Sequence, residues 1–255
     1  MREFLSKKEI ALLKAVQTRH GRKKHNLCIA EGLRCCRDVA SVAKDLIKLA
    51  VKRDDINVDY EAFNEVDFVS VDANVFKTIA PTVESQGILL LLEKANDTIV
   101  EPTDDFIILL DQVGDPGNFG TILRTARAAG LKEIWYTNGS VDPFNDKVIR
   151  SAMGSQFVIK LRKFSSLDDA CVTAQEFGYN KFFRTDPHGG ESCFNSQELF
   201  DKSVIVMGSE AHGVADFENA RGLNIPMLGD EESLNVAQAT TIIMFEYVRR
   251  TVENN

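Results

Sequence analysis

Three short stretches hold residues that could do chemistry together. The first is "GDPGNFG", Gly114 to Gly120, followed by "TILRTAR". Asn118 stands near its end, Arg124 follows six residues on and Arg127 one further turn along. A glycine-rich loop between a strand and a helix can cradle the phosphates of a nucleotide, while Asn118 and Arg124 read equally as a helix cap and a solvated arginine. The glycines fall every third residue, which departs from G-x-G-x-x-G, and no Lys-Ser/Thr pair closes a phosphate loop. The second stretch is "MGSEAHGV", Met207 to Val214. Gly208 and Gly213 allow a ligand close to the backbone, and Glu210 can accept a hydrogen bond from a polar group or stand solvated in a tight turn. His212 has no partner at metal-ligand spacing, so no metal site is expected. The third runs from "IPM" through "LGDEESLN" into a helix. There Ser233 or Asn235 can cap the helix or face a ligand.

The elements around these stretches set their geometry. From Phe106 onward, apolar strands alternate with amphipathic helices. The expected strands are 106–110, "EIWYT", 157–161, "KFFRT", 203–207 and "LNIPM". Helices are expected over 119–129, 145–153, 167–177, 216–221 and 236–251. Such alternation predicts an α/β fold with a mainly parallel sheet covered by helices on both faces. Ligands in such sheets bind beyond the carboxyl ends of the strands, which selects the loops after Asp111, Met207 and Met227. Residues 1–95 have another texture, with short α and β elements: a helix over 7–18, another over 32–43, and strands at 67–71 and in "GILLLLEK". The polar, proline-bearing stretch 96–105 reads as a linker, leaving 106–255 as the second domain.

The net charge is −8, but it is unevenly spread. Residues 1–53 hold 14 basic and 5 acidic residues, a balance of +9, and the remainder carries −17. Within the basic part lies "RHGRKKH", Arg19 to His25, read as a solvated loop after the first helix. Clustered basic groups release counterions from a polyanion, so Arg19, Arg22, Lys23 and Lys24 are candidates for facing one. The five cysteines include the adjacent pair Cys35 and Cys36 and no C-x-x-C, which fits reduced thiols better than disulfides or zinc. No apolar signal segment or membrane span is expected, and the predicted location is cytoplasmic.

Taken in order, the three loops resemble the motifs of the SpoU/TrmH branch of the SPOUT methyltransferases. The likeness covers about 105–252, including "VDPFNDKVIRSAMGSQF". "KHNLCIAEGLRCCRDVA" and "PTVESQGILLLL" resemble the small ribosomal-protein-like substrate domain that precedes many such enzymes. The resemblance implies a catalytic domain threaded into a trefoil knot and S-adenosyl-L-methionine as cofactor. It implies backbone contacts to that cofactor at Gly208, Ile225 and Leu234, with Pro226 and Met227 walling the slot and Gly213 beside them. It also implies methylation of a ribose 2′-hydroxyl in structured RNA, with rRNA favoured over tRNA. A non-catalytic RNA-binding or ribosome-assembly protein of the same fold is the alternative. The implied catalytic set is Asn118, Arg124, Glu210, Ser233 and Asn235. Arg124 would act as a base through the substrate phosphate, or as a clamp on that phosphate and the forming alkoxide. Lys147 and Arg150 are implied contacts to the RNA backbone. A homodimer is implied too, with Ile242, Ile243, Phe245 and Val248 as candidate interface residues. The acidic run Asp230 to Glu232 departs from what an RNA-facing loop suggests.

Overall fold

The run "ILLLLE" is apolar on consecutive residues because both of its faces are covered. The computed structural model of the protein describes residues 4–94, 101–209 and 213–253. The chain forms two compact units, one of 1–96 with 142–158, the other of 97–141 with 159–255.

In the first unit the elements run α1 (Lys7–Ala15), α2 (Arg19–His25), β1 (Leu27–Glu31), α3 (Leu33–Ala43), β2 (Ile47–Arg53), β3 (Phe68–Val71), α4 (Ala73–Ile79) and β4 (Ile88–Glu93). The four strands form a sheet in the order β1-β4-β2-β3, with β4 antiparallel to both neighbours. Strand side chains alternate in direction. Accordingly Ile88, Leu90 and Leu92 pack with Cys28, Cys36 and Val39, while Leu89 and Leu91 pack with Leu13, Val16 and Phe76. The cysteines are unpaired thiols.

The helix expected over 7–18 divides here. Ser6 and Glu9 form a capping box that starts α1, which stops at Ala15. Thr18 then caps a second helix, its Oγ1 accepting from Gly21 N at 3.0 Å. "RHGRKKH" is therefore helix α2, correcting the expected loop. Gly21 makes the tight corner possible, since a Cβ there would lie 1.9 Å from the Ala15 carbonyl oxygen. Arg22 is 4% exposed, and its Nε donates to Asp142 Oδ2 at 2.8 Å. Its guanidinium also donates to the Gln17 carbonyl at 2.8 Å, so this arginine is spent on holding the corner. Arg19, Lys23 and Lys24 stay exposed.

The second unit runs β5 (Phe106–Leu110), α5 (Pro116–Ala128) and β6 (Glu133–Thr137). Helix α6 (Asp146–Ala152) lies in the stretch belonging to the first unit. The second unit resumes with β7 (Lys160–Phe164), α7 (Leu167–Glu176), β8 (Lys181–Thr185), β9 (Glu191–Ser192), β10 (Ser203–Met207), β11 (Ala220–Asn224) and α8 (Val236–Glu253). Its seven strands lie in the order β7-β6-β5-β10-β8-β11-β9, and every pairing is parallel. Helices cover both faces. Ala170 and Ala174 of α7 pack with Ile107, Leu109 and Trp135, while Phe119 of α5 meets Tyr136 and Tyr247 of α8 meets Phe106.

Two expected elements shift. The strand expected over 157–161 is β7 instead, preceded by a 3-10 turn at Ser155–Phe157. The Lys160 N–H bonds the Lys132 carbonyl at 2.8 Å, which sets this later register. No helix forms over 216–221; residues 216–217 are irregular, 218–219 make a turn, and β11 begins at Ala220. Pairing along β8 competes better than a short solvated helix, and the strand stops before Pro226, which has no N–H for a ladder.

Helix α8 is pinned near its end by Glu246. Arg249 and Arg250 both donate to its carboxylate at 2.7–2.8 Å, and Arg250 reaches the Ser196 and Cys193 carbonyls. The Arg249 hydrogen bonds, then those of Arg250, lower the Glu246 pKa from 4.5 to about 2 against an opposing desolvation. The ionised form is thus favoured by folding, so this stabilisation is complete above pH 4.5 and is lost as the pH falls towards 2. Glu246→Gln is expected to cost about 2 kcal/mol at pH 7 and to flatten the loss of stability between pH 4.5 and 2. Urea unfolding at pH 7 and pH 3 checks both.

Candidate active site

The carboxyl ends of β8, β10 and β11 open onto a cavity of about 400 Å³ within the second unit. Met207, Leu223, Ile225, Met227 and Leu234 give it apolar walls, and Gly208, Gly213, Ser233 and Asn235 also line it. Pro226 is not among the lining residues.

Each loop takes its shape from a local cause. After β10, Ser209 and Gly213 bridge, and the Gly213 N–H donates to the Ser209 carbonyl at 2.9 Å. The turn closes so tightly that a Cβ on Gly208 would lie 2.2 Å from the Gly213 carbonyl atoms. Gly213 itself has φ +61°, a left-handed conformation. Glu210, with Ala211 and His212, lies outside the described residues.

Asn235 serves two purposes at once. Its Oδ1 accepts from Ala237 N at 2.9 Å, capping α8, and its Nδ2 donates to Asn118 Oδ1 at 3.0 Å. The cap of α5 is not Asn118 but Asp115, whose Oδ1 accepts from Asn118 N at 2.7 Å, with Pro116 in the first turn. Asn118 therefore turns its side chain to Asn235 across 117 residues of sequence. Helices α5 and α8 also approach at Thr125 and Thr241, whose hydroxyls lie 3.4 Å apart.

Arg124 stands apart from the cavity lining. Gly117, Thr121 and Arg124 fall on one exposed stripe of α5, as spacings of three, four and seven dictate. Among the described residues Arg124 makes no hydrogen bond or ion pair, so its charge is presented to solvent. Of the basic residues outside this unit, Lys147 is exposed. Arg150 donates to Asp146 Oδ2 at 2.9 Å and is half-buried.

Sequence reasoning missed the loop after β8. Thr185, Asp186 and Pro187 line the cavity. Thr185 Oγ1 donates to the Val206 carbonyl at 3.1 Å, tying this loop to β10. Asp186 accepts from His188 N at 2.9 Å and pairs with Arg184 at 2.9 Å. The His188 N–H, followed by Arg184, holds its carboxyl below the usual range. The available signal was "RTDPHGG", a turn-rich stretch directly after a strand, at the end of the sheet where ligands bind.

With this geometry in place, comparison with known proteins defines the lineage. Residues 105–245 match the model of the SpoU rRNA Methylase family. The chain belongs to that family. Residues 7–90 match the MRM3-like substrate binding domain. A similar protein is the 23S rRNA (guanosine(2553)-2'-O)-methyltransferase RlmP of Bacillus subtilis, 27% identical, with 91% of this chain and 92% of the relative covered. The mitochondrial rRNA methyltransferase 3 of Xenopus laevis is 26% identical over 91% of this chain and 71% of the relative. Among solved structures, an rRNA methyltransferase of Sinorhizobium meliloti with AdoMet bound superposes with a TM-score of 0.79. It is 26% identical and covers 97% of each chain. The family match runs through 142–158, so a stretch of the methylase sequence is built into the unit that carries the substrate-domain match.

Proposed function

We propose that this protein methylates a ribose 2′-hydroxyl of ribosomal RNA with S-adenosyl-L-methionine. The observation that carries this reading is the Asn235–Asn118 hydrogen bond, which joins the first and third loops beside the cavity. The cavity suits the cofactor. Its size is that of a nucleoside-scale ligand, its walls are apolar, and Gly208 brings backbone against it. Gly208, Gly213, Ile225, Met227 and Leu234 would hold the cofactor, with Thr185 and Asp186 at its polar side; Pro226 would shape the loop without facing the slot. When bound, the cofactor supplies an electrophilic methyl group on a sulfonium.

The remaining work falls to the RNA-facing side chains. Arg124 brings a planar guanidinium, exposed on α5, whose fork of N–H donors matches a phosphate. It clamps the phosphate beside the target ribose and stabilises the alkoxide as the hydroxyl loses its proton. Asn118 and Asn235, fixed by each other, orient the ribose; Ser233 and Glu210 complete the set. Arg19, Lys23, Lys24 and Lys147 offer charge to the RNA backbone, whereas Arg22 acts through the fold. Residues 1–95 serve as the RNA-reading part and 106–255 as the methyltransferase, with the chain around the cavity threaded as a trefoil knot.

A homodimer completes the reading. Along α8, Phe245 is 46% exposed and Ile242 and Val248 are partly so, giving an apolar face; Ile243 is fully buried and cannot contribute. A cytoplasmic location fits this reading of a ribosomal RNA substrate, and among the described residues no helix is long and apolar enough to cross a membrane.

Calorimetric titration with S-adenosylmethionine, alongside transfer of labelled methyl to rRNA and to tRNA, tests the proposal. Saturable binding and label on rRNA are expected. Absence of cofactor binding would overturn it, and label on tRNA alone would replace the substrate.

A further inference from the structure

A second cavity, of about 430 Å³, lies entirely within the first unit, at the start of α3. Its wall has a buried polar defect. Glu31, at the end of β1, is 2% exposed, and one carboxylate oxygen accepts the Thr82 hydroxyl at 2.7 Å. The other, Oε2, has no hydrogen-bond partner. The nearest cation, Arg150 Nη1, is 3.7 Å away and donates instead to Asp146 at 2.9 Å. A buried carboxylate oxygen short of a donor is costly, and it persists where something else supplies the donor. Arg150, 30% exposed at its side chain, borders the cavity beside that oxygen.

The rest of the lining states what the donor should belong to. Arg34 and Arg150 balance Glu31 and Glu84, so the pocket has no net attraction for a bare phosphate. Gln86 already accepts from Leu33 N at 2.7 Å, which fixes its amide at the first turn of α3. Met153 adds a soft apolar wall on which a flat ring can rest. A pocket offering both carboxylate and guanidinium fits a neutral heterocycle with donors and acceptors on one edge. Guanine alone among the RNA bases places two adjacent N–H donors, N1 and N2, beside a carbonyl acceptor, O6. Carboxylates accept from such donors, and arginine is the commonest donor to O6.

We propose that this pocket binds an unpaired guanine of the RNA substrate, with Glu31 accepting from its N1 and N2 edge and Arg34 or Arg150 donating to O6. Proteins read RNA sequence mostly on such unstacked bases. This site rests on the reading that RNA is the substrate, and it lies apart from the cofactor cavity. Because Arg150 comes from the stretch of methylase sequence built into this unit, the base reader and the methylase share a chain segment.

Fluorescence anisotropy of the full chain with labelled heptaribonucleotides tests this directly. UUUGUUU is expected to bind at least ten-fold tighter than UUUAUUU, UUUCUUU or an all-uridine heptamer. Glu31→Gln removes the negative charge while keeping the shape and is expected to erase the preference. Arg34→Gln, at an exposed position, is expected to weaken it several-fold, and it carries the test if Glu31→Gln melts at lower temperature. Equal binding of the four heptamers by the wild type, or a preference that survives both substitutions, would overturn the proposal. So would inorganic phosphate competing as well as GMP. Cofactor titration of the same samples keeps the outcomes separate, since loss of S-adenosylmethionine binding strikes the methyltransferase reading and not this pocket.

Discussion

Arg124→Ala is expected to lower kcat for RNA methylation about a thousand-fold while leaving the cofactor Kd within a factor of two. The split follows from where the side chain sits. Arg124 is exposed on α5 and is not part of the cavity lining, so removing it leaves the cofactor's walls intact. It holds no structural ion pair among the described residues, so the fold has little to lose. The interaction expected to be lost is the one made with the substrate. Arg124→Lys restores the charge but not the planar fork that grips a phosphate with two parallel bonds, and it is expected to recover only part of the rate. Single-turnover methyl transfer with saturating cofactor, beside calorimetric cofactor binding, measures both quantities. Full activity in the alanine variant would remove Arg124 from the mechanism.

Gly208→Ala is expected to act in the opposite way, abolishing cofactor binding at accessible concentrations and with it all methyl transfer. The added methyl would stand 2.2 Å from the Gly213 carbonyl atoms and 2.6 Å from Val214 N. These are backbone atoms, so no rotamer change can relieve the contact. The two backbone segments must separate, and Gly208, Ser209 and Gly213 line the cavity. Overpacking of this kind costs about 1–3 kcal/mol, which is expected to appear as a lower Tm as well. Gly208 is not at a positive φ, so the effect comes from space and not from backbone preference. Calorimetric titration and a thermal melt of the same sample check the two consequences; cofactor affinity near that of the wild type would show that the turn is not a wall of the binding site.

Much of the catalytic unit was readable from local pattern. Five-residue apolar runs such as "FIILL" and "SVIVM" became central parallel strands buried on both faces. Ser209 and Gly213 bridge after β10, a close backbone approach that the glycines of "MGSEAHG" permit. Where local rules competed, the sequence was less decisive. Asp115 and Asn118 are both good helix caps, and the fold used Asp115 because Pro116 suits the first turn, which released Asn118 for another partner. In "RHGRKKH", charge pattern alone describes a solvated basic stretch. The corner at Gly21 turned it into a helix and buried one of its arginines against Asp142.

The sequence by itself determined most of the strands and helices, though not those at 19–25, 157–161 and 216–221, together with which half of the chain is basic and which residue types stand at the strand ends. These depend on neighbours within a few positions, where hydrophobic period and turn chemistry act. Only the tertiary structure decided that Asn118 meets Asn235, that the loop after β8 helps line the cavity proposed for the cofactor, and that Arg150 stands beside Glu31. Those contacts join residues 117, 21 and 119 positions apart, as with Thr185 and Val206 in the second case. No local rule reaches so far, because such partners are chosen by the order of strands in the sheet and by burial, which belong to the whole fold.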